Sequence, residues 1–384
     1  MKKRFLTTFI GIFLAIVLVL GGALVISVGV KNANAVVKCG NVMLDEGTVN
    51  YLISYYKSLY FKELNTAGIA AHDSDSFWAS EGEDGKSYGE HFQESVREYI
   101  ASVVAAANIY ITNATYTPDD KLSVGLTCED ILKYKAEGDV SVFNDRTEKR
   151  GFDYNDFQNA AALLYKAQRA TVVLYGDRGK YLRNFPEKCE KYFDTYSHVK
   201  LLFLRDETLV ETDEEGNVSL RDMTDEERAE RLALAEEIRD KIESGAMTPD
   251  AFEIYLEKSD ADPVANEKEY YFHESADATS EFAVEFPTIV NASLEMNVGE
   301  YIEVDTSAGI CFICKCENTD GAYAEEDNPF FSDFYADAAL YLYSEMLSEF
   351  VGEVKFKTAY DEIDVLSIPM TEEFYIVEFK SVKK

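Results

Sequence analysis

Three of the six cysteines fall in one short stretch, GICFICKCEN, from Gly309 to Asn318. Cys311 and Cys314 form a C-x-x-C, and Cys316 follows two positions later. These residue types at this spacing suit either a zinc knuckle or a redox pair. A zinc site of this kind needs a second ligand pair, yet Cys39, Cys128 and Cys189 are scattered singly. The four histidines (72, 91, 198 and 273) show no H-x-x-x-H spacing.

The element that carries the stretch decides between these chemistries. On a strand, successive side chains point to opposite faces, so Cys311 faces away from Cys314. Cys314 and Cys316 share a face, but two rises of about 3.3 Å put their Cα atoms about 6.6 Å apart with parallel side chains. That is the long limit for a disulfide. The expectation is a core strand with cysteines as small buried hydrophobes, and no metal or cofactor.

A second motif, Gly85-Lys86-Ser87-Tyr88-Gly89, matches the G-x-S-x-G nucleophile elbow. The elbow requires an apolar strand before the serine, and here SEGED precedes it. Ser87 with Glu90 instead predicts a capping box opening a helix. Ser80, where a Walker motif has glycine, excludes a phosphate loop.

The 384-residue chain is long enough for two or three domains. After MKKRF, residues 5–30 carry no charge, a run of about 26 against the roughly 20 that a bilayer core needs. The length predicts an uncleaved anchor, although Ala33-Asn34-Ala35 offers a signal-cleavage site. Lys2, Lys3 and Arg4 stay cytoplasmic by the positive-inside rule, which puts the remainder outside the cytoplasm as a single-pass ectodomain. With 37 basic against 71 acidic residues, net charge −34, nucleic acid is excluded as a partner, because phosphate binding needs basic surface. The acid keeps an exposed ectodomain soluble.

The fold class expected is α+β. The first half is mainly helical. Val49, Leu52, Ile53, Tyr56, Leu59 and Tyr60 recur at helical spacing, a second helix runs from about Tyr88 to Ile109, and a third ends at Gly176. PEKCEKYFDTY reads as a shorter helix. HVKLLFL then reads as a buried strand, followed by a hairpin turning at 214–217. Thr224 with Glu227 caps a helix that ends at Gly245, and Thr248-Pro249 opens another. The apolar YYF at 270–272 and two strands within VGEYIEVDTSAGICFICKCEN follow. The chain closes with a helix over about 331–351 and strand-like pieces in VKFKTAY and YIVEFKSV. Expected boundaries are an anchor and linker over 1–35, a helical region over 36–195, a small antiparallel-sheet domain over 196–318, and a C-terminal helix and strands over 319–384 that pack on the helical region.

The second half, in VKLLFLRDE, EEIRDKIESGAMTPDAFEIYLEKSDADP, YYF and SLEMNVGEYIEVDTSAGICFI, resembles a parvulin-type peptidyl-prolyl isomerase domain. Its setting resembles the PrsA and SurA extracytoplasmic foldases, which join an anchor or signal, a helical chaperone region and parvulin domains. The resemblance implies binding of unfolded or nascent exported polypeptides, with membrane attachment through the N-terminal helix. Its active-site pattern is only partly kept. Leu201 stands where the family carries its first-strand histidine, and Cys311 where the last strand carries the second. Asp262 matches the family's Asp or Cys position, and the glycine-rich loop is shortened to NEKEYYF, leaving Tyr271 and Phe272. The aromatic floor of the proline pocket falls to Phe282 and Phe286. The implied substrate-binding set is therefore Leu201, Asp262, Phe272, Phe282, Phe286 and Cys311, with no assigned catalytic residue. This predicts a membrane-anchored chaperone with weak or lost isomerase activity. The alternatives are an active isomerase in which Cys311 and Asp262 do the polar work, or an envelope-assembly scaffold.

Overall fold

The structure, a computed structural model, describes residues 35–82, 84–212, 218–260, 269–274, 284–325 and 328–381. Two compact units make up the chain. The first takes the chain up to Tyr181 and again from Ala339 onward; the second is Leu182–Ala338. Short antiparallel sheets among many helices make the fold α+β. The expected anchor, residues 5–30, lies outside the described residues. Among the described ones no helix is long and apolar enough to cross a membrane.

The first unit opens with β1 (Val37–Cys39) and β2 (Val42–Leu44), which pair across a turn at Gly40. Helix α1 (Glu46–Thr66) starts at Asp45, whose carboxylate accepts from the Thr48 N–H at 3.0 Å. Helix α2 (Tyr88–Asn113) opens on the Ser87/Glu90 capping box, so the G-x-S-x-G serine is a helix cap. Helices α3 (Pro118–Lys135) and α4 (Val140–Thr147), which the sequence pattern leaves unmarked, precede α5 (Tyr154–Tyr175), stopped by Gly176. Aromatic packing fills the core: the Tyr51 and Phe157 rings meet edge-on at 5.3 Å, and Tyr56 stacks on Tyr99 at 4.6 Å.

The second unit begins with α6 (Pro186–Phe193), followed by β3 (Ser197–Arg205). Strands β4 (Thr208–Thr212) and β5 (Val218–Asp222) form the expected hairpin; its turn, 213–217, lies outside the described residues. Helix α7 (Asp225–Glu243) carries the Thr224/Glu227 box, and α8 (Pro249–Leu256) has proline in its first turn. Strand β6 (Glu269–Phe272), helix α9 (Pro287–Glu295) and strands β7 (Tyr301–Thr306) and β8 (Gly309–Lys315) complete a four-stranded sheet in the order β6-β3-β8-β7. The chain continues through α10 (Phe334–Gly352) to β9 (Lys355–Phe356), which pairs with β1.

Gly309 sets where β8 meets β3. Its φ is +149°, and a Cβ there would lie 2.1 Å from the Leu204 carbonyl oxygen. That oxygen and the Arg205 Cα, 2.8 Å away, are backbone, so nothing flexible can yield. Gly309→Ala is expected to destabilise the second unit by at least about 2 kcal/mol, with amide exchange across β3 and β8 as the readout.

The last segment departs from expectation. Residues 375–381 form no strand. Side chains take up the carbonyls of this tail instead: the Tyr51 hydroxyl donates to Phe374 O at 3.0 Å and the Tyr55 hydroxyl to Ile376 O at 3.3 Å. The Lys380 N–H donates to Thr127 Oγ1 at 2.9 Å. With those bonds made, and Phe374, Ile376 and Phe379 buried, the alternating apolar pattern needs no strand partner.

Candidate functional site

The sheet of the second unit has two faces of different chemistry, set by period-2 alternation along β3 and β8. One face is apolar. Val199, Leu201 and Phe203 of β3, Tyr270 and Phe272 of β6, and Cys311 and Ile313 of β8 cluster there with Phe286, Ile289, Val290 and Met296. Four of the six residues assigned by resemblance (Leu201, Phe272, Phe286 and Cys311) thus come together. Asp262 and Phe282 lie outside the described residues.

Strand register sets Leu201 opposite Ile313 and Phe203 opposite Cys311. Leu201 and Cys311 are both fully buried. Burial pushes the Cys311 thiol well above the ordinary cysteine range, so it stays neutral and behaves as a small apolar group. Phe286 packs on Phe203 with ring centroids 4.9 Å apart. Where β6 stops pairing, Ser259 and Asp260 take over the edge of β3: the Phe203 N–H donates to Ser259 Oγ at 3.0 Å, and the Asp260 N–H donates to Phe203 O at 2.8 Å. The Asp260 carboxylate accepts from the Arg231 guanidinium at 3.1 Å and from the Arg205 N–H at 3.3 Å. Its role is to hold the loop, two residues before the position the resemblance marks.

The opposite face carries titratable groups that sequence reasoning did not assemble. Leu202, Leu204, Phe312 and Cys314 pack there against α7 and α8, with Tyr301 and Cys316 at the margin. Lys200, paired with Cys314 across the strands, makes ion pairs with Glu253 and with Glu269, the latter at 3.0 Å. Burial works against the Lys200 charge, but hydrogen bonds to both carboxylates hold its ammonium above the ordinary lysine value. His198 completes the group. Its Nδ1 lies 2.7 Å from Glu317 O, its Nε2 3.5 Å from Glu269 Oε2, and its ring stacks on Tyr271 at 4.3 Å. The sequence signal was the alternation of His198 and Lys200 with Val199 and Leu201, and of Glu269 with Tyr270, which marks one face at one end of a pair of strands.

The alternation argument for the cysteines holds: Cys311 belongs to one face and Cys314 to the other. Cys316, just past the end of β8, donates its thiol to the Cys314 carbonyl oxygen at 3.8 Å. The Cys316 side chain, the Tyr301 hydroxyl and the Lys200 ammonium beside the Cys314 thiol outweigh burial and bring it down to about 7. Cys316 itself is held protonated by the same pairing. Cys316→Ala removes that neighbour, so the pH midpoint for alkylation of Cys314 should rise from about 7 toward about 8.5. Peptide mapping after iodoacetamide treatment over a pH series reads the shift directly.

No family model matches this chain, and no curated protein matches it. Among solved structures it is similar to PrsA from Bacillus subtilis, at 13% identity over 73% of this chain and 93% of that one, with a TM-score of 0.21. It is also similar to the peptidylprolyl isomerase PrsA from Bacillus cereus, at 15% identity over 77% and 97%, with a TM-score of 0.25. The site is therefore read from its own residues.

Proposed function

We propose that this chain is a chaperone that binds unfolded exported polypeptides outside the cytoplasm, tethered by its N-terminal apolar run, and that its second unit is a parvulin-like domain with weak or lost prolyl isomerase activity. One observation carries the reading. The two positions at which the resemblance expects histidine, Leu201 and Cys311, lie on adjacent strands in one fully buried apolar cluster. Neither side chain offers a proton or a hydrogen bond to a substrate there. Rotation about a prolyl bond has a barrier of roughly 20 kcal/mol and breaks no bond. Catalysis therefore asks only for a pocket that favours the twisted amide, and loss of both histidines removes the groups that would shape and hydrogen-bond it.

The test sets two measurements side by side on the same protein: catalysed isomerisation of a prolyl peptide set, and suppression of aggregation of an unfolded client. The expected result is aggregation suppressed with little or no turnover, and turnover raised in Leu201→His/Cys311→His if that variant folds. Strong wild-type turnover would replace this reading with an active isomerase. Absence of both activities would leave an assembly scaffold.

A further inference from the structure

The first unit holds a cavity of about 420 Å³ beside β2, within the range of about 300–1,000 Å³ typical of ligand pockets. Part of its wall is apolar, from Val42, Met43 and Leu44 of β2 and from Ile111 and Leu163; Asn41, Thr115 and Asn159 add polar groups. Lys166, on α5, is the single charged residue lining it among the described residues. In a chain of net charge −34, a pocket with one cation and no carboxylate is a local inversion of the molecule's field.

Lys166 is 5% exposed. Its ammonium sits 4.3 Å from the centre of the Tyr116 ring, and no carboxylate among the described residues pairs with it. Burial alone draws its pKa down to about 8. The acid associated with the nearby tyrosines, Asp120, is already engaged: its oxygens accept from the Tyr110 and Tyr165 hydroxyls at 3.2 and 3.1 Å and from the Thr117 N–H at 2.9 Å. A second polar group at the same wall is also unsatisfied. Thr48, 1% exposed, is among the lining residues, and its buried hydroxyl has no hydrogen-bond partner among the described residues. A buried cation without an anion and a buried hydroxyl without a partner each cost free energy that a suitable ligand would recover.

The same wall contains backbone able to take a chain. β2 is the outer strand of the β2-β1-β9 sheet, and four consecutive residues, Asn41–Leu44, line the cavity. The outer edge of a strand is where an extended peptide adds. We infer that this cavity binds the C-terminal carboxylate of a polypeptide ending in an apolar residue, with Lys166 receiving the carboxylate and the apolar wall receiving the last side chain. This site is independent of the proposed function of the second unit and does not rest on it.

Calorimetric titration of the whole protein with acetyl-Ala-Ala-Leu as the free acid, as its C-terminal amide, and with decanoate tests the assignment. The free acid is expected to bind at least about tenfold tighter than the amide, as a charge-assisted contact requires. Lys166→Met should bring the acid down to the amide level, and Lys166→Arg should retain most of the preference, which also guards against a Met variant that fails to fold. Thr48→Val should weaken the acid several-fold. Equal binding of acid and amide, or an unchanged preference in Lys166→Met, would overturn the proposal. Decanoate binding without peptide binding would overturn it too, in favour of a free fatty acid.

Discussion

Phe203→Ala should cost the second unit about 3–5 kcal/mol, the range for truncating a buried aromatic. The side chain is fully buried, touches Phe286 with ring centroids 4.9 Å apart, and faces Cys311 across the strand pair. The size of the loss depends on how far the surroundings can close over the cavity. Here they are tied. The Phe203 N–H and C=O are bonded to Ser259 and Asp260, Ser259 Oγ donates to Leu201 O at 2.9 Å, and Gly309 fixes the approach of β8 two positions on. A backbone held on both sides cannot drift inward to fill the gap. Urea denaturation of the variant, followed by amide exchange at β3 and β8, measures the change. A loss below about 1.5 kcal/mol would mean that this cluster collapses freely and is not a rigid floor.

How much of this was legible beforehand depends on whether an element's reason for existing lies within its own residues. The Ser87/Glu90 and Thr224/Glu227 boxes are local, since cap and partner sit three residues apart, and both could be placed from sequence. The alternation of Cys311 and Cys314 was legible for the same reason: it needs only that the stretch be a strand. Helix α3 was not. Its buried side includes Ser123, Val124, Thr127 and Cys128, a stripe that is half polar and looks like no apolar face. Ser123 and Thr127 are buried because they bond the Lys380 backbone, a partner more than 250 residues away. The tail failed in the complementary way, since its alternating apolar residues read as a strand until the hydroxyls that satisfy its carbonyls are seen. The polar face of the sheet was half legible. Lys200 is a charge within a stretch that reads as a buried strand, and Glu269 precedes the apolar YYF, but only the register that sets them opposite one another makes them a pair. The Lys166 cavity was illegible altogether, because an ammonium in a helix is ordinary until it is known that no carboxylate among the described residues pairs with it.

Lys57→Ala should strongly destabilise the first unit. The residue lies on α1 among Tyr56 and Tyr60, and its side chain is completely buried. Its ammonium donates to Leu366 O at 2.8 Å and to Asp73 Oδ1 at 3.3 Å, and it stands 5.1 Å from the centre of the Trp78 ring. Asp73 Oδ1 also accepts the Trp78 indole N–H at 3.0 Å. One cation therefore ties together α1, the 70s loop and the C-terminal tail. Burial lowers its pKa, and the Asp73 carboxylate opposes that shift. Truncation removes the packing of the stem, the donor to a carbonyl, and the partner of a carboxylate. A fully buried broken pair costs about 3–5 kcal/mol, and Asp73 is 23% exposed, so about 2–4 kcal/mol is expected. Lys57→Met, which keeps the stem, should lose less than Lys57→Ala, and Lys57→Met/Asp73→Asn should recover part of the loss because the stranded charge is gone. Trp78 is the only tryptophan, so its fluorescence through a urea titration follows this junction directly. If the double variant proves no more stable than Lys57→Met, the ion pair contributes nothing beyond packing, and the junction is held by its aromatic rings alone.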